Sequence, residues 1–281
     1  LIVNTPEKYS ALTGAKVLTG REAVALDPEK KTVTAVNAET GEKESYGYDR
    51  LVISTGASPI MPPIDGIGLP GVFKMRTPED AITLREYAET EGVKRAVVVG
   101  GGFIGLEVAE NLSSRGVSVT VIDMAPQLLA GVLDPEMADY LRRHLIKNGI
   151  RIITGVAAKA IEGDGKVSAV ETGAGKLPCE MVVMAAGIRP NTAFLEGSGI
   201  ELSKGAIVTD GHMATNLPDI YAAGDCAIVK NRITGAPQWS AMGSSANLEG
   251  RTLAQVLTGG SQSYPGVLGT GIIKLPELNC G

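Results

Sequence analysis

A length of 281 residues suits about two domains, and 44% hydrophobic content supplies an ordinary globular core. A net charge of −5 and a pI near 5.3 argue against nucleic acid or an anionic membrane surface as partner, and no apolar run is long enough to cross a bilayer. Three scattered cysteines, Cys179, Cys226 and Cys280, form no C-x-x-C and point to a reducing cytoplasmic setting, with Cys179 and Cys226 read as small buried side chains.

In chain order, residues 4–14 read as a loop and a short helix, and 15–53 as a β-meander. The meander comprises 16–27, 30–40 and, after a turn at Gly41, 43–55; only LVIS (51–54) is apolar enough for a central strand. That strand runs into Thr55-Gly56-Ala57-Ser58-Pro59. A small-residue loop at the C-terminal end of a buried strand is where open α/β sheets bind ligands, although the stretch alone equally suits an ordinary Gly-Pro turn. Residues 62–71 are rich in Pro and Gly and read as a crossover between domains. Arg76 follows, then a helix over 77–92 with Thr77 as N-cap, Pro78 at its first position and acids in its first turn.

The next stretch, RAVVVGGGFIGLEVAENLSSRG (95–116), organises the chain. An apolar β-branched run, Ala96 to Val99, reads as a buried strand, and Gly100, Gly102 and Gly105 follow in G-x-G-x-x-G spacing. Gly100 allows a sharp turn, Gly102 lets backbone approach a pyrophosphate, and Gly105 lets helix and strand pack closely. The helix N-terminus offers N–H groups and a positive dipole end to phosphate. Glycine is abundant, 36 of 281 residues, so the spacing alone is weak. Context strengthens it: a second strand, 117–123, ends in Asp123, 21 residues after Gly102, where a ribose-binding carboxylate belongs. A tight βαβ turn with no ligand is the competing reading.

A helix over 134–149 follows, with Asp134 as cap and Met137, Leu141 and Leu145 as its apolar face. A strand at 151–155, an antiparallel excursion of two or three strands over 157–177 and a buried strand at 181–187 complete one dinucleotide-binding domain over 95–187. Beyond it, Ile220 to Ala223 form a short strand ending at Gly224-Asp225, an acid placed to bond sugar hydroxyls or simply to sit in an exposed loop. Residues 240–260 read as a helix of small residues, and 264–281 begin new strands. His144 reads as a helix-surface residue and His212 as a loop residue, neither with ligand-spaced companions, and no metal site is expected.

LVISTGASP (51–59), VVVGGGFIGLE (97–107), GIRPNT (187–192) and TNLPDIYAAGD (215–225) stand in an order and spacing that resembles the pyridine nucleotide–disulfide oxidoreductases. Within them the chain looks most like the branch of coenzyme A–disulfide reductases, NADH oxidases and NADH peroxidases. The resemblance covers nearly the whole chain. It implies an α/β fold of two Rossmann-like three-layer (β-β-α) domains. The FAD-binding domain is split (1–71 and 191–262), the NAD(P)-binding domain continuous (72–190), and 263–281 would start a C-terminal interface domain.

The resemblance also implies roles residue by residue. Ser54, Thr55, Gly56 and Ala57 would run along FAD, Arg76 would stand at the flavin, Asp225 would bond the ribityl chain, and Ala241 and Gly243 would approach the isoalloxazine. Gly100, Gly102, Ile104 and Gly105 would hold the NAD pyrophosphate. Glu107 would lie near nicotinamide and flavin, Asp123 at the adenosine ribose, and Gly187 at a strand end beside the cofactor. The implied function is an FAD-dependent NAD(P)H oxidoreductase acting on a small disulfide, persulfide, peroxide or oxygen as a homodimer; Asp123 followed by Met124 to Gln127, with no positive charge until Arg142, favours NADH over NADPH.

Two departures from the family pattern stand out. The first G-x-G-x-x-G unit for the ADP half of FAD has no counterpart, and no cysteine matches the redox-active one; no catalytic residue is therefore assigned. Both would belong to an upstream portion, an expectation in keeping with Leu1 at position 1. An NAD(H)-binding chain without flavin or turnover is the alternative.

Overall fold

The computed structural model describes residues 4–281. Its described residues include five α-helices: α1 (Pro6–Thr13), α2 (Pro78–Thr90), α3 (Phe103–Ser113), α4 (Pro135–Lys147) and α5 (Gly243–Leu257). The chain folds as two compact units. A central unit holds Ser58–Arg189 with Thr270–Gly281; a split unit holds the residues up to Ala57 with Pro190–Gly269.

The central unit is built on a parallel five-stranded sheet. Its strands lie in the order Val72–Lys74, Met181–Met184, Arg95–Val99, Ser118–Asp123 and Arg151–Thr154. The continuous apolar run at 96–99 arises because both faces of this sheet are covered. Side chains alternate along the strand. Ala96 and Val98 enter a core shared with Leu106, Ala109 and Leu112 of α3 and Leu141 and Leu145 of α4. Val97 and Val99 enter a second core with Ile161, Val167, Val170 and Leu177. Those last residues belong to a three-stranded antiparallel sheet (Ala158–Asp164, Lys166–Thr172, Gly175–Pro178), so the excursion has three strands. Burying Leu106, Leu141 and Leu145, all at 0% exposure, stabilises the unit by about 2 kcal/mol each.

Local signals explain where the helices start. Thr77 Oγ1 accepts the Asp80 N–H at 3.3 Å, and Asp80 Oδ2 accepts the Thr77 N–H at 2.9 Å, a reciprocal capping box ahead of α2. Asp134 stands at the N-cap of α4, but its side chain makes no capping bond, contrary to expectation. Met137 also departs from the expected apolar face, at 53% exposure. The buried stripe runs through Ala138, Leu141 and Leu145, and Met137 lies one residue, about 100° of helix rotation, off it.

Residues 62–71 are not a loose connection. Ile64, Ile67 and Leu69 pack on the second core, and the Ile161 N–H donates to the Asp65 carbonyl at 2.8 Å. The last residues form a hairpin, Ile273–Leu275 with Leu278–Cys280, whose Ile273, Leu275 and Cys280 join the helix-side core. His144 is half-buried and faces the Pro276 carbonyl of this hairpin rather than open solvent.

In the split unit, Arg21–Asp27, Thr32–Asn37 and Lys43–Gly47 form an antiparallel sheet; the first strand starts at Arg21, not at residue 16. Leu51–Ile53 pairs in parallel with Ile220–Ala222, in register from Leu51 opposite Ile220 to Ile53 opposite Ala222. The two stretches expected to share one sheet do so. The unit also holds a mixed sheet of Leu202–Ser203, Ala206–Val208, Ala227–Lys230 and Pro237–Trp239. Its core includes Leu26, Ile53, Ile207, Ile220, Ala222 and Cys226.

A tight packing constraint lies at Gly105, where α3 meets the end of its strand. A Cβ there would lie 1.9 Å from the Gly100 carbonyl oxygen and 3.3 Å from the Ala185 Cβ. Gly105→Ala is expected to cost about 1–3 kcal/mol through overpacking, read as a lower denaturation midpoint.

Candidate functional site

In the central unit the predicted nucleotide residues gather at the C-terminal edge of the parallel sheet. Gly100 leaves the strand at φ +119°, and a Cβ on it would meet the Ala185 carbonyl oxygen at 2.1 Å, so only glycine fits the turn. Gly102 is the N-cap of α3, and a Cβ on it would meet no atom within 4 Å. The space beside Gly102 is therefore open, as close approach of a ligand to backbone requires. No side chain caps α3. Its first-turn N–H groups thus point to the same opening with the positive end of the helix dipole.

Asp123 ends the neighbouring strand and closes this turn. Its Oδ2 accepts the Gly101 N–H at 2.6 Å and its Oδ1 accepts the Ala125 N–H at 2.7 Å. Each carboxylate oxygen has a second lone pair. Asp123 can therefore brace the glycine turn and still accept hydroxyl donors; it is half-buried rather than pointing into bulk solvent. Gly187, at φ +106°, follows the adjacent Met181–Met184 strand, and its carbonyl accepts the Ile60 N–H at 2.9 Å.

Arg76, Ile104 and Glu107 share a cleft of about 710 Å³ between α2 and α3. Ile104 is 39% exposed, and Glu107 also points outward. The Arg76 N–H donates to Asp80 Oδ2 at 2.9 Å, and Arg76 is among the residues that line the cleft.

In the split unit, Ser54, Thr55 and Gly56 lead out of Leu51–Ile53, and Gly224–Asp225 lead out of Ile220–Ala222. Both loops therefore leave the same edge of the parallel pair. Ser54 and Thr55 are exposed and Ala57 is buried. Gly56 adopts φ +68° and Gly224 φ +84°. Ala241 and Gly243 flank the start of α5, which carries no side-chain cap; a Cβ on Gly243 would meet nothing within 4 Å. The open glycine and uncapped helix start fit a bound group here as they do at α3.

Three residues at this site were not singled out from the sequence. Asn191 ties down the small-residue loop: its Nδ2 donates to the Thr55 carbonyl at 2.9 Å, its N–H to the Gly56 carbonyl at 2.9 Å, and its carbonyl accepts Thr55 Oγ1 at 2.7 Å. The R-P-N-T stretch was the available signal. Glu249, only 2% exposed on α5, accepts the Gly224 N–H at 2.7 Å. The Trp239 indole N–H donates to the Asp225 carbonyl at 2.8 Å. A lone acid among the small residues of 240–260 is the only hint of Glu249.

The pyridine nucleotide-disulphide oxidoreductase family matches residues 4–246. An NADH oxidase of Methanocaldococcus jannaschii is 37% identical over 281 residues, covering 100% of this chain and 62% of the relative. An NAD(P)H coenzyme A polysulfide/persulfide reductase of Pyrococcus horikoshii is 34% identical over 282 residues, again covering 100% of this chain and 62% of the relative. Reduced CoADR-RHD of Bacillus anthracis superimposes with a TM-score of 0.93 at 33% identity, covering 99% of this chain and 50% of that one. The chain belongs to the pyridine nucleotide-disulphide oxidoreductases, a family of flavoenzymes, and FAD and a nicotinamide dinucleotide are the cofactors that go with that membership. It spans about 62% of the length of those two curated relatives. No helix among the described residues is long and apolar enough to cross a membrane.

The cysteines are buried and free. Burial pushes the Cys179 thiol up to about 11 and raises Cys226, whose Sγ lies 3.4 Å from the Ile53 carbonyl oxygen. A thiol must reach its thiolate to attack a disulfide. Cys179 and Cys226 are expected to resist a disulfide reagent at pH ~8 in the folded protein and to react once it is denatured, which a thiol titration with and without denaturant checks.

Proposed function

We propose that this chain is the cofactor-binding body of an NADH-dependent flavin oxidoreductase. In this reading hydride passes from NADH to the flavin, and electrons go on to a small disulfide, persulfide, peroxide or oxygen. The names of the relatives support that range of acceptors: an NADH oxidase on one side and a persulfide reductase on the other. The cofactors supply the hydride chemistry when bound, and the protein binds and orients them. The glycine turn, Ile104 and the start of α3 would take the pyrophosphate, Asp123 the adenosine ribose, Glu107 the neighbourhood of the nicotinamide and flavin, and Arg76 the flavin. In the split unit, residues 54–57, Asp225, Ala241 and Gly243 would take FAD. The electron-accepting thiol is not Cys179, Cys226 or Cys280, since all three are buried. A reducing cytoplasmic setting and a homodimeric whole protein belong to the same proposal; the free thiols support the first, and the family resemblance suggests the second.

The observation that carries the reading is Asp123 at the strand end beside an open Gly102. Its carboxylate can accept both ribose hydroxyls of NADH. In NADPH the 2′ position carries a phosphate of about two negative charges, which Asp123 would repel. The sequence after it, Met124 to Leu141, contains no cation to offset that charge. NADH is therefore expected to bind at least about tenfold tighter than NADPH, a difference of roughly 1.4 kcal/mol. Asp123→Ala should weaken NADH and narrow the gap, and it should also lower stability, because the Gly101 and Ala125 N–H groups lose their acceptor. Nucleotide titration of both proteins, below the melting temperature of the variant, checks this; equal or tighter NADPH binding by the wild type overturns it.

Gly102→Ala separates binding from folding. The new methyl enters open space, so the denaturation midpoint should stay unchanged while NADH binding weakens by about tenfold through the lost close approach. The same pair of measurements on Gly105→Ala should show the loss of stability described above.

A further inference from the structure

We propose that Glu249 and Trp239 are positioning residues that clamp the Gly224–Asp225 turn from both sides and so set the affinity of the split unit for flavin. The inference rests on the reading of Asp225 as a flavin ligand. It adds two residues that no role in that reading requires.

Side chains hold two backbone groups of the turn, one on each side of the Asp225 Cα. One is the Gly224 N–H, which Glu249 Oε2 accepts at 2.7 Å; the other is the Asp225 carbonyl, which accepts the Trp239 indole N–H at 2.8 Å. The two partners come from different elements, Glu249 from α5 and Trp239 from the strand Pro237–Trp239. Gly224 sits at φ +84°, and a Cβ on it would lie 3.6 Å from the Ala246 Cβ, so the turn lies directly against α5. Glu249 is 2% exposed. A buried acid is costly unless it is bonded, and the bond shown for it among the described residues is to a backbone donor, the Gly224 N–H. Surface helices do not need such a group.

The groups facing Glu249 are the Asp225 carboxylate on the turn and Tyr264, which follows α5 and bonds Ser245 one turn earlier on it; Arg232 in turn acts on Tyr264. Burial and Asp225 raise the Glu249 pKa, and the Gly224 bond lowers it. A neutral acid still accepts through its carbonyl oxygen, so glutamine can replace it in the clamp. Because the folded protein holds this proton more tightly than the unfolded chain, stability falls as pH rises from 4.5, the ordinary value for glutamate, through the raised one. Glu249→Gln carries no such proton.

The test uses the full-length flavoprotein with Glu249→Ala, Glu249→Gln and Trp239→Phe. Three readouts are taken: the FAD dissociation constant, amide exchange of the Gly224 N–H, and stability against pH. Glu249→Ala should weaken FAD on the order of tenfold and speed exchange at Gly224, because a buried donor loses its acceptor. Glu249→Gln should keep FAD affinity within about twofold and keep Gly224 protected, and its stability relative to wild type should rise with pH. Trp239→Phe keeps the ring, loses the donor, and should weaken FAD several-fold; it carries the test where Glu249→Ala does not fold. Wild-type FAD affinity in both Glu249→Ala and Trp239→Phe overturns the clamp, as does an equal loss in Glu249→Gln and Glu249→Ala. Should the wild type bind no flavin, it is the proposed function that fails. Gly224 exchange then decides the clamp alone: faster in Glu249→Ala than in Glu249→Gln supports it, and equal rates overturn it.

Discussion

Two backbones meet where no side chain can stand. The Gly105 position of α3 lies so close to the Gly100 carbonyl that a single methyl would overlap it, and Gly100 itself is pressed against the Ala185 carbonyl of the next strand. Three consecutive features follow from that contact. Helix α3 starts directly over the end of its strand, its uncapped first turn points past the sheet edge, and Gly102 is left beside open space. Asp123 then locks the turn from the neighbouring strand through the Gly101 N–H. Substituting either tight glycine would force the helix start away from the strand end.

The split unit solves a similar problem with different parts. Its parallel pair, Leu51–Ile53 and Ile220–Ala222, is short, and the loops that leave it carry the candidate residues. Backbone packing alone does not hold these loops. Asn191 holds Thr55 and Gly56 by three bonds, while Glu249 and Trp239 hold Gly224 and Asp225. Side-chain-to-backbone bonds of this kind fix loop geometry without adding apolar area.

Much of this was legible in the sequence, for reasons that are local. The β-branched run at 96–99, the glycine spacing, the helix and the strand ending in Asp123 are consecutive, so periodicity and turn chemistry place them. The pairing of 51–53 with 220–222 followed from family resemblance, not from local pattern. What escaped depends on tertiary contact. Asn191 and Thr55 are 136 positions apart in the chain. Glu249 is buried by its neighbours rather than by its own character. Met137 shares the four-residue spacing of Leu141 and Leu145, yet the buried stripe of α4 passes through Ala138 instead. The Pro- and Gly-rich stretch at 62–71 looked like a linker. Its Ile64, Ile67 and Leu69 found an apolar surface on the antiparallel sheet that composition alone does not reveal.

The proposed function requires that NADH reduce a flavin held by the same protein. Anaerobic titration of the full-length protein with NADH, followed by the flavin absorption band, tests it most directly. The band is expected to bleach as NADH is added, at lower concentrations of NADH than of NADPH. A purified protein whose flavin band is untouched by either nucleotide, or which carries no flavin at all, would contradict it.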